Sequence, residues 1–175
     1  MSTTFHIYRH AKTAWNNEGR LQGWLDSPLI EQVAPSKVAV DYVVSSDLQR
    51  AVQTATALFP NATVKTDARL REIYLGHWQG AYIAQLLHEA DYTCYSETPE
   101  QFIPTTQESF AAVTARMLEV LRELAASEHA HIAIVSHGVA VACLQCYVDN
   151  APLSSLWHYM LAGAQCITIQ AEALF

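Results

Sequence analysis

The chain has 175 residues, enough for one domain with a well-buried core, and 51% of them are apolar while 15% are charged. This composition is typical of a globular protein and excludes a disordered chain. The net charge of −7 argues against general nucleic-acid binding, and no apolar run reaches the roughly 18 residues of a membrane span. Residues 1–4 lack the features of a signal peptide, and four cysteines do not suggest a disulfide framework. We therefore expect a cytoplasmic protein whose residues 1–175 form a single domain.

The order of apolar and polar residues predicts strands that alternate with helices. In chain order we predict a strand over 5–8, a long polar loop over 17–29, a strand over 41–45, a helix over 48–58 with Asp47 as its N-cap, and a short strand over 62–66. There follow a loop with a tight turn over 69–80, a helix over 81–90, an irregular segment over 91–107, helices over 108–126, 139–148 and 153–161, and strands over 131–135 and 166–170. This alternation predicts an α/β fold, a three-layer α/β/α sandwich with a mainly parallel sheet. Residues 81–107 are expected to form a flap over the functional site.

Charged and polar residues recur where predicted strands end or helices begin. Arg9 and His10 follow the first strand, Arg50 lies in the first turn of the first long helix, and His137 follows the fourth strand. In an open α/β sheet, ligands bind beyond the carboxyl ends of the strands, so these side chains are candidates for one site. An arginine at a helix N-terminus opposes the helix dipole, a local conflict that points to function. Taken alone, each residue could also belong to an ordinary surface turn.

Two arginines, two histidines and one carboxylate suit phosphoryl transfer. The arginines and a protonated histidine would hold the phosphoryl oxygens, a neutral histidine would attack phosphorus, and Glu72 would protonate the departing alcohol. Thr13 adds a donor for an anion, and Gly138 lets the backbone approach a ligand closely. No step requires a metal or another cofactor.

The motifs resemble those of the histidine phosphatase superfamily, in its phosphoglycerate mutase-like branch. Five of them occur in family order: RHAKTAWN (9–16), LQGWLDSPL (21–29), SSDLQRAVQTA (45–55), LREI with GHWQG (70–73 and 76–80) and VSHG (135–138). Any one of these motifs would be weak, but together they span most of the chain.

The resemblance implies a role for each residue of the site. His10 is the nucleophile that becomes phosphohistidine, and Glu72 is the proton donor and then the base that activates water. Two guanidiniums near His10 disfavour its cation, which fits the neutral imidazole that attack requires. The phosphate pocket consists of three basic residues: Arg9, Arg50 and His137. Three more positions contact the substrate: Asn16, Gln22 and Gly23.

The chain departs from the family pattern in two places. Ala11 replaces the usual glycine and Lys12 the usual glutamate, which adds a positive charge near the pocket without removing a catalytic group. Residues 30–44 are short for the helical crossover that family members have, so a short helix or an extended strap should replace it. We expect less coverage of apolar sheet surface there, which a second subunit could provide in a homodimer.

The expected activity is hydrolysis of a small-molecule phosphate monoester through phosphohistidine. A phosphomutase is the nearest alternative, but the short chain and compact flap argue against it. A non-catalytic phospho-ligand binder is the alternative from another class, and it would not need both His10 and Glu72. The resemblance allows several substrates: sugar phosphates, phosphoglycerates, nucleotide-loop phosphates of cobalamin synthesis and phosphoproteins.

Two further groups of residues are not assigned to the site. The aromatic residues of the flap could line a substrate pocket or pack it down: Tyr82, Tyr92, Tyr95 and Phe102. Cys143 and Cys146 have the spacing of a zinc half-site, but without a second pair they are read as buried thiols.

Overall fold

A computed structural model describes residues 2–175 of the chain. Five strands form one sheet: β1 (Thr4–Arg9), β2 (Tyr42–Ser45), β3 (Val64–Thr66), β4 (His131–Ser136) and β5 (Cys166–Gln170). Their order across the sheet is β3-β2-β4-β1-β5, and only β5, which pairs with β1, runs antiparallel. Six helices accompany the sheet: α1 (Ala14–Glu18), α2 (Gln49–Leu58), α3 (Ile83–Leu86), α4 (Ala90–Glu97), α5 (Phe110–Ala125) and α6 (Gly138–Val148). No helix in residues 2–175 is long and apolar enough to cross a bilayer.

Helices lie on both faces of the sheet, which confirms the predicted three-layer α/β/α fold. On one face, α5 and α6 pack against Ile7 and Ile134, and this cluster holds most of the buried apolar side chains. On the other face, Ala51 and Ala55 of α2 lie against Tyr8 in a smaller cluster. The alternation of side chains along β1 sends Ile7 to one cluster and Tyr8 to the other, as a strand buried on both faces requires.

The flap is more regular than the sequence predicts. The helix expected over 81–90 shrinks to α3, and the segment expected to be irregular forms α4. Tyr92 and Tyr95 lie one helical turn apart on α4, and both rings pack on the buried indole of Trp78 with centroids 5.4 Å away. Because this tertiary packing supplies the stabilisation, α4 forms although its own sequence shows no clear helical period.

The helix predicted over 153–161 is a 3-10 segment, Leu153–Tyr159. Leu153, Leu156 and Tyr159 all pack against the larger core cluster. A spacing of three residues matches the three residues per turn of a 3-10 helix, so this geometry places all three side chains on one side, with Leu156 fully buried and the other two half-buried.

The N-cap predicted for α2 is wrong. Leu48 occupies the N-cap position without a side-chain hydrogen bond. Asp26, from the preceding loop, accepts a hydrogen bond from the Gln49 amide at 2.8 Å and so satisfies the helix end instead. Asp47 points away and pairs with the Arg71 guanidinium, with Nε and Oδ1 2.6 Å apart.

Residues 30–41 form an extended strap in place of the crossover helix. Val33 and Val40 of the strap pack on the smaller core cluster, and the Ser36 amide donates to the Leu58 carbonyl at 2.8 Å. The strap therefore covers the part of the sheet next to α2.

The part of this face that lies beyond the strap is polar, not apolar as we expected. Along β1 and β5 it presents His6, Thr168 and Gln170, of which the last two are exposed. The exposed apolar groups on this side belong to the strap itself, Ile30 and Val38.

Candidate active site

Loops at the carboxyl ends of three neighbouring strands meet around one cavity. Arg9 is the last residue of β1, and His137 and Ser46 directly follow β4 and β2. The cavity has a volume of about 220 Å³. Most of the predicted site residues line it: Arg9, His10, Asn16, Gln22, Gly23, Arg50 and Glu72. The other three lie behind this wall: Thr13, His137 and Gly138.

One of the two ring nitrogens of His10 is unprotonated and carries a lone pair. Its Nδ1–H donates to the Ala11 carbonyl at 2.7 Å, so Nε2 carries no proton, and the Arg50 Nε–H donates to Nε2 at 3.3 Å. Burial, followed by the charge of Arg50, lowers the pKa of His10 to about 3. His10 is therefore a neutral imidazole at physiological pH, which is the form that can act as a nucleophile.

Arg50 is held in place by acceptors on the loop before the strap. Its guanidinium is 1% exposed and donates to the carbonyls of Leu25 and Gly23, at 2.7 and 2.6 Å. The carboxylate of Asp26 lies 2.7 Å from Nη1 and compensates the buried charge. Gly23 has a φ of +56°, and a Cβ there would lie 2.4 Å from Gln79 Oε1, so glycine is required for this turn. Sequence reasoning missed Asp26, although a buried arginine requires such a partner.

Arg9 occupies space that a glycine leaves open. A Cβ on Gly138 would lie 3.1 Å from Arg9 Cζ and 2.7 Å from Met160 Cε. Arg9 donates through Nη1 to the Leu161 carbonyl. The absence of a side chain at Gly138 thus makes room for the Arg9 guanidinium. We had predicted that it would instead let the backbone approach a ligand.

Thr13 orients Asn16. The Thr13 amide and hydroxyl both donate to Asn16 Oδ1, at 3.0 and 2.9 Å, and Thr13 is the N-cap of α1. Because the amide oxygen is occupied, Asn16 can offer its Nδ2 hydrogens to a ligand in the cavity. Gln22 is fixed in a similar way, since its Oε1 accepts from the Ser27 hydroxyl at 2.9 Å.

Glu72 sits at the N-terminus of α6. Its Oε1 accepts from the Ala140 amide at 2.9 Å and its Oε2 from the Val139 amide at 3.1 Å. The amides of the first helical turn have no acceptor within the helix, and Glu72 supplies an acceptor to two of them. These bonds fix the carboxyl group at the cavity wall.

His137 lies behind His10, with ring centroids 5.1 Å apart. Its Nε2 shares a hydrogen bond of 2.8 Å with the Ser46 hydroxyl, and its Nδ1 has no partner in residues 2–175. Burial, then the charge of Arg50, holds the pKa of His137 well below its ordinary value. The protonated form that we predicted thus requires a negative group, such as a phosphoryl oxygen, beside the ring.

A model of the histidine phosphatase superfamily, branch 1, matches residues 5–173. The chain belongs to this superfamily. Among its relatives, the probable phosphoglycerate mutase GpmB of Proteus mirabilis is 35% identical over 162 residues, which cover 84% of this chain and 75% of the relative. The glucosyl-3-phosphoglycerate phosphatase of Mycobacterium tuberculosis is 33% identical over 170 residues, covering 85% and 76%. The solved structure of YhfR from Bacillus stearothermophilus has a TM-score of 0.87 and 29% identity, and covers 95% of this chain and 90% of that one.

Membership in the histidine phosphatase superfamily confirms the resemblance drawn from the five motifs. The relatives include both phosphatases and a probable mutase, so a phosphatase or phosphomutase type of enzyme is supported. Within residues 2–175, no three His, Cys, Asp or Glu side chains gather as a metal site would require.

Acid is expected to destabilise this member of the superfamily through its buried imidazoles. The pKa of His10 is about 3 in the folded protein against an ordinary 6.5, so between these values the unfolded chain binds a proton that the folded protein does not. The free energy of unfolding therefore falls with falling pH by up to ~1.4 kcal/mol per unit for such a histidine. Urea unfolding between pH 7 and pH 4 should show a shallower pH dependence for His10→Asn than for the wild type. The exposed His131, changed to Asn, is the control, and equal slopes for wild type and His10→Asn would contradict the prediction.

Proposed function

We propose that this chain hydrolyses a small-molecule phosphate monoester through a phosphohistidine formed on His10. The observation that carries the proposal is the unprotonated Nε2 of His10, which is fixed by Ala11 and Arg50 and faces the same cavity as Glu72. A nucleophile and a proton donor in one cavity are the two groups that cleavage of a phosphate ester requires.

In the first step, Nε2 of His10 attacks phosphorus and the bond from phosphorus to the alcohol oxygen breaks. Protonated Glu72 gives its proton to that oxygen, and the alcohol departs. In the second step, Glu72 takes a proton from water, the water oxygen attacks phosphorus, and the phosphorus–nitrogen bond breaks to release inorganic phosphate. Arg9, Arg50 and Asn16 would hold the phosphoryl oxygens in both steps, and His137 would join them once the phosphoryl charge favours its protonation.

A phosphomutase is the second candidate, because the relative from Proteus mirabilis carries that name. A mutase would pass the phosphoryl group from His10 to another hydroxyl group, whereas a phosphatase passes it to water. The two activities therefore differ in whether inorganic phosphate accumulates.

Hydrolysis of 4-nitrophenyl phosphate with excess chelator is the test of this proposal. We expect steady release of nitrophenol and of an equal amount of inorganic phosphate. Nitrophenol without inorganic phosphate, in the presence of an acceptor alcohol, would favour phosphoryl transfer to a hydroxyl group. Binding of phosphate without turnover of any ester would indicate a phospho-ligand binding protein and contradict the proposal.

We also propose a homodimer and a cytoplasmic location. The exposed apolar side chains of the strap, Ile30 and Val38, supply part of a surface that a second copy could cover. All four cysteines are free thiols, which fits a reducing compartment.

A further inference from the structure

A second cavity of about 260 Å³ adjoins the catalytic one. Tyr95, Val139 and Met160 line both cavities, so the two spaces share a wall. The far end of the second cavity, which we call the side cavity, is formed by Tyr92 and Trp157. No step of the mechanism above uses this space.

The side cavity adjoins the part of the catalytic cavity wall that holds Glu72. The amide of Val139, one of the shared wall residues, donates to Glu72 Oε2 at 3.1 Å. Displacement at phosphorus places the attacking and leaving atoms roughly in line, and the proton donor must reach the leaving oxygen. An alcohol that departs toward Glu72, opposite His10, therefore extends toward the side cavity.

The walls of the side cavity are apolar and rigid. None of the residues that line it, all within the described part of the chain, is charged. The Tyr95 ring packs between Phe110 and Trp157, with centroids 5.3 and 5.2 Å away, so this wall does not rearrange easily. A carboxylate or a second phosphate placed here would lose its hydration without gaining a cationic partner. Flat aromatic walls instead favour stacking or edge contacts with an aromatic ring.

Polar groups in the side cavity are few. Tyr95 is 4% exposed, and Trp157 Nε1 is buried without a hydrogen-bond partner in residues 2–175. The Ser96 hydroxyl donates to the Thr93 carbonyl at 3.3 Å, so its proton is already used. The side cavity can therefore accept a mainly apolar group with at most one or two polar atoms.

We propose that the leaving alcohol of the substrate carries a flat apolar group, such as an aromatic ring, which fills the side cavity between Tyr92, Tyr95 and Trp157. This inference rests on the proposed phosphatase function and narrows its substrate class. The side cavity then contributes binding to the alcohol part, and the arginines contribute binding to the phosphoryl part.

Two esters with matched leaving groups test the proposal. Propyl phosphate and 3-phenylpropyl phosphate release primary alcohols of similar acidity, so they differ mainly in the ring. We expect kcat/KM for the phenylpropyl ester to be about thirtyfold higher or more, because burial of the ring removes a large apolar area from water. O-phosphoserine, whose alcohol part is charged, should be turned over no better than propyl phosphate.

Ser96→Phe should fill the side cavity from the half-buried face of α4. It is expected to lower kcat/KM for the phenylpropyl ester to the level of propyl phosphate and to leave propyl phosphate unchanged. Glu97→Phe places the same ring at the exposed neighbouring position and serves as the matched control. Tyr95→Phe, which removes only the hydroxyl, should keep the preference for the ring within about twofold, because that preference comes from apolar burial.

The outcomes separate this inference from the function on which it rests. Turnover of O-phosphoserine or propyl phosphate as efficient as that of the phenylpropyl ester would overturn the side-cavity assignment and leave the phosphatase function standing. A preference that survives Ser96→Phe, or one that disappears in Tyr95→Phe, would also overturn it. Absence of turnover with all three esters and with 4-nitrophenyl phosphate would overturn the phosphatase function itself, and the inference with it, whereas turnover of 4-nitrophenyl phosphate alone would overturn only the side-cavity assignment.

Discussion

Replacement of His10 by asparagine is expected to lower kcat for hydrolysis of 4-nitrophenyl phosphate by about 10⁴-fold or more. Asparagine keeps a polar side chain of similar reach but has no nucleophilic nitrogen lone pair, so no phosphoryl-enzyme can form. Quench of a ³²P-labelled ester reaction in alkaline detergent, where a phosphorus–nitrogen bond is stable, should give labelled wild type that loses its label in acid, and no labelled variant.

The exposed His131 provides the matched control for this experiment. His131→Asn should retain wild-type kcat and labelling, since the residue lies at the opposite end of its strand from the site. Wild-type labelling in His10→Asn would show that another side chain receives the phosphoryl group. Unchanged binding of inorganic phosphate by His10→Asn would show that the loss comes from the chemical step.

Replacement of Asp26 by alanine is expected to lower the free energy of unfolding by about 3 kcal/mol, near the low end for breaking a buried ion pair. Arg50 is 1% exposed and would keep its charge without the carboxylate, whereas Asp26 is 28% exposed, so water moderates the loss. The variant also loses the acceptor for the first amides of α2. Urea unfolding at pH 7 measures the effect, and activity should fall with it because Arg50 orients His10.

Asp47→Ala is the control for Asp26→Ala. Asp47 pairs with Arg71 at 2.6 Å, but both side chains are about one-third exposed, and such pairs contribute about 0–1 kcal/mol. If Asp47→Ala were as costly as Asp26→Ala, the burial of Arg50 would not explain the effect, and the importance assigned to Asp26 would be wrong.

The parts of the site that could be predicted are those set by short stretches of chain. Arg9 and His10 end an apolar strand, and His137 ends another, so the rule that ligands bind at strand ends was sufficient to bring them together. The partner of Arg50 could not be found in this way, because Asp26 reaches α2 from a loop more than twenty positions earlier. Asp47 fits the local pattern of an N-cap. In the structure Asp26 accepts from the helix end instead, because it is also the counter-ion of the buried Arg50 guanidinium.

The fold was predictable where a hydrophobic period is strong and uncertain where it is weak. α5 shows a clear helical stripe and was predicted almost to its ends, whereas α4 depends on contacts of Tyr92 and Tyr95 with Trp78. The positions of His137 behind His10 and of Gly138 against Arg9 depend on side-chain packing across strands. The motifs show that these residues come together in the site, but not which of them line the cavity and which lie behind its wall.

The strand order also governs when the site can come into existence during synthesis. β4 lies between β1 and β2 in the sheet but follows both of them in the chain. A nascent chain that has emerged only as far as α5 thus contains His10, which follows β1, and Arg50, which follows β2 on α2, while these two strands have no shared neighbour to join them. Long-range pairing of this kind is slow and leaves apolar strands exposed until it completes. The two halves of the phosphate pocket come together only when residues 131–136 insert between them, so assembly of the pocket belongs to the last stage of folding.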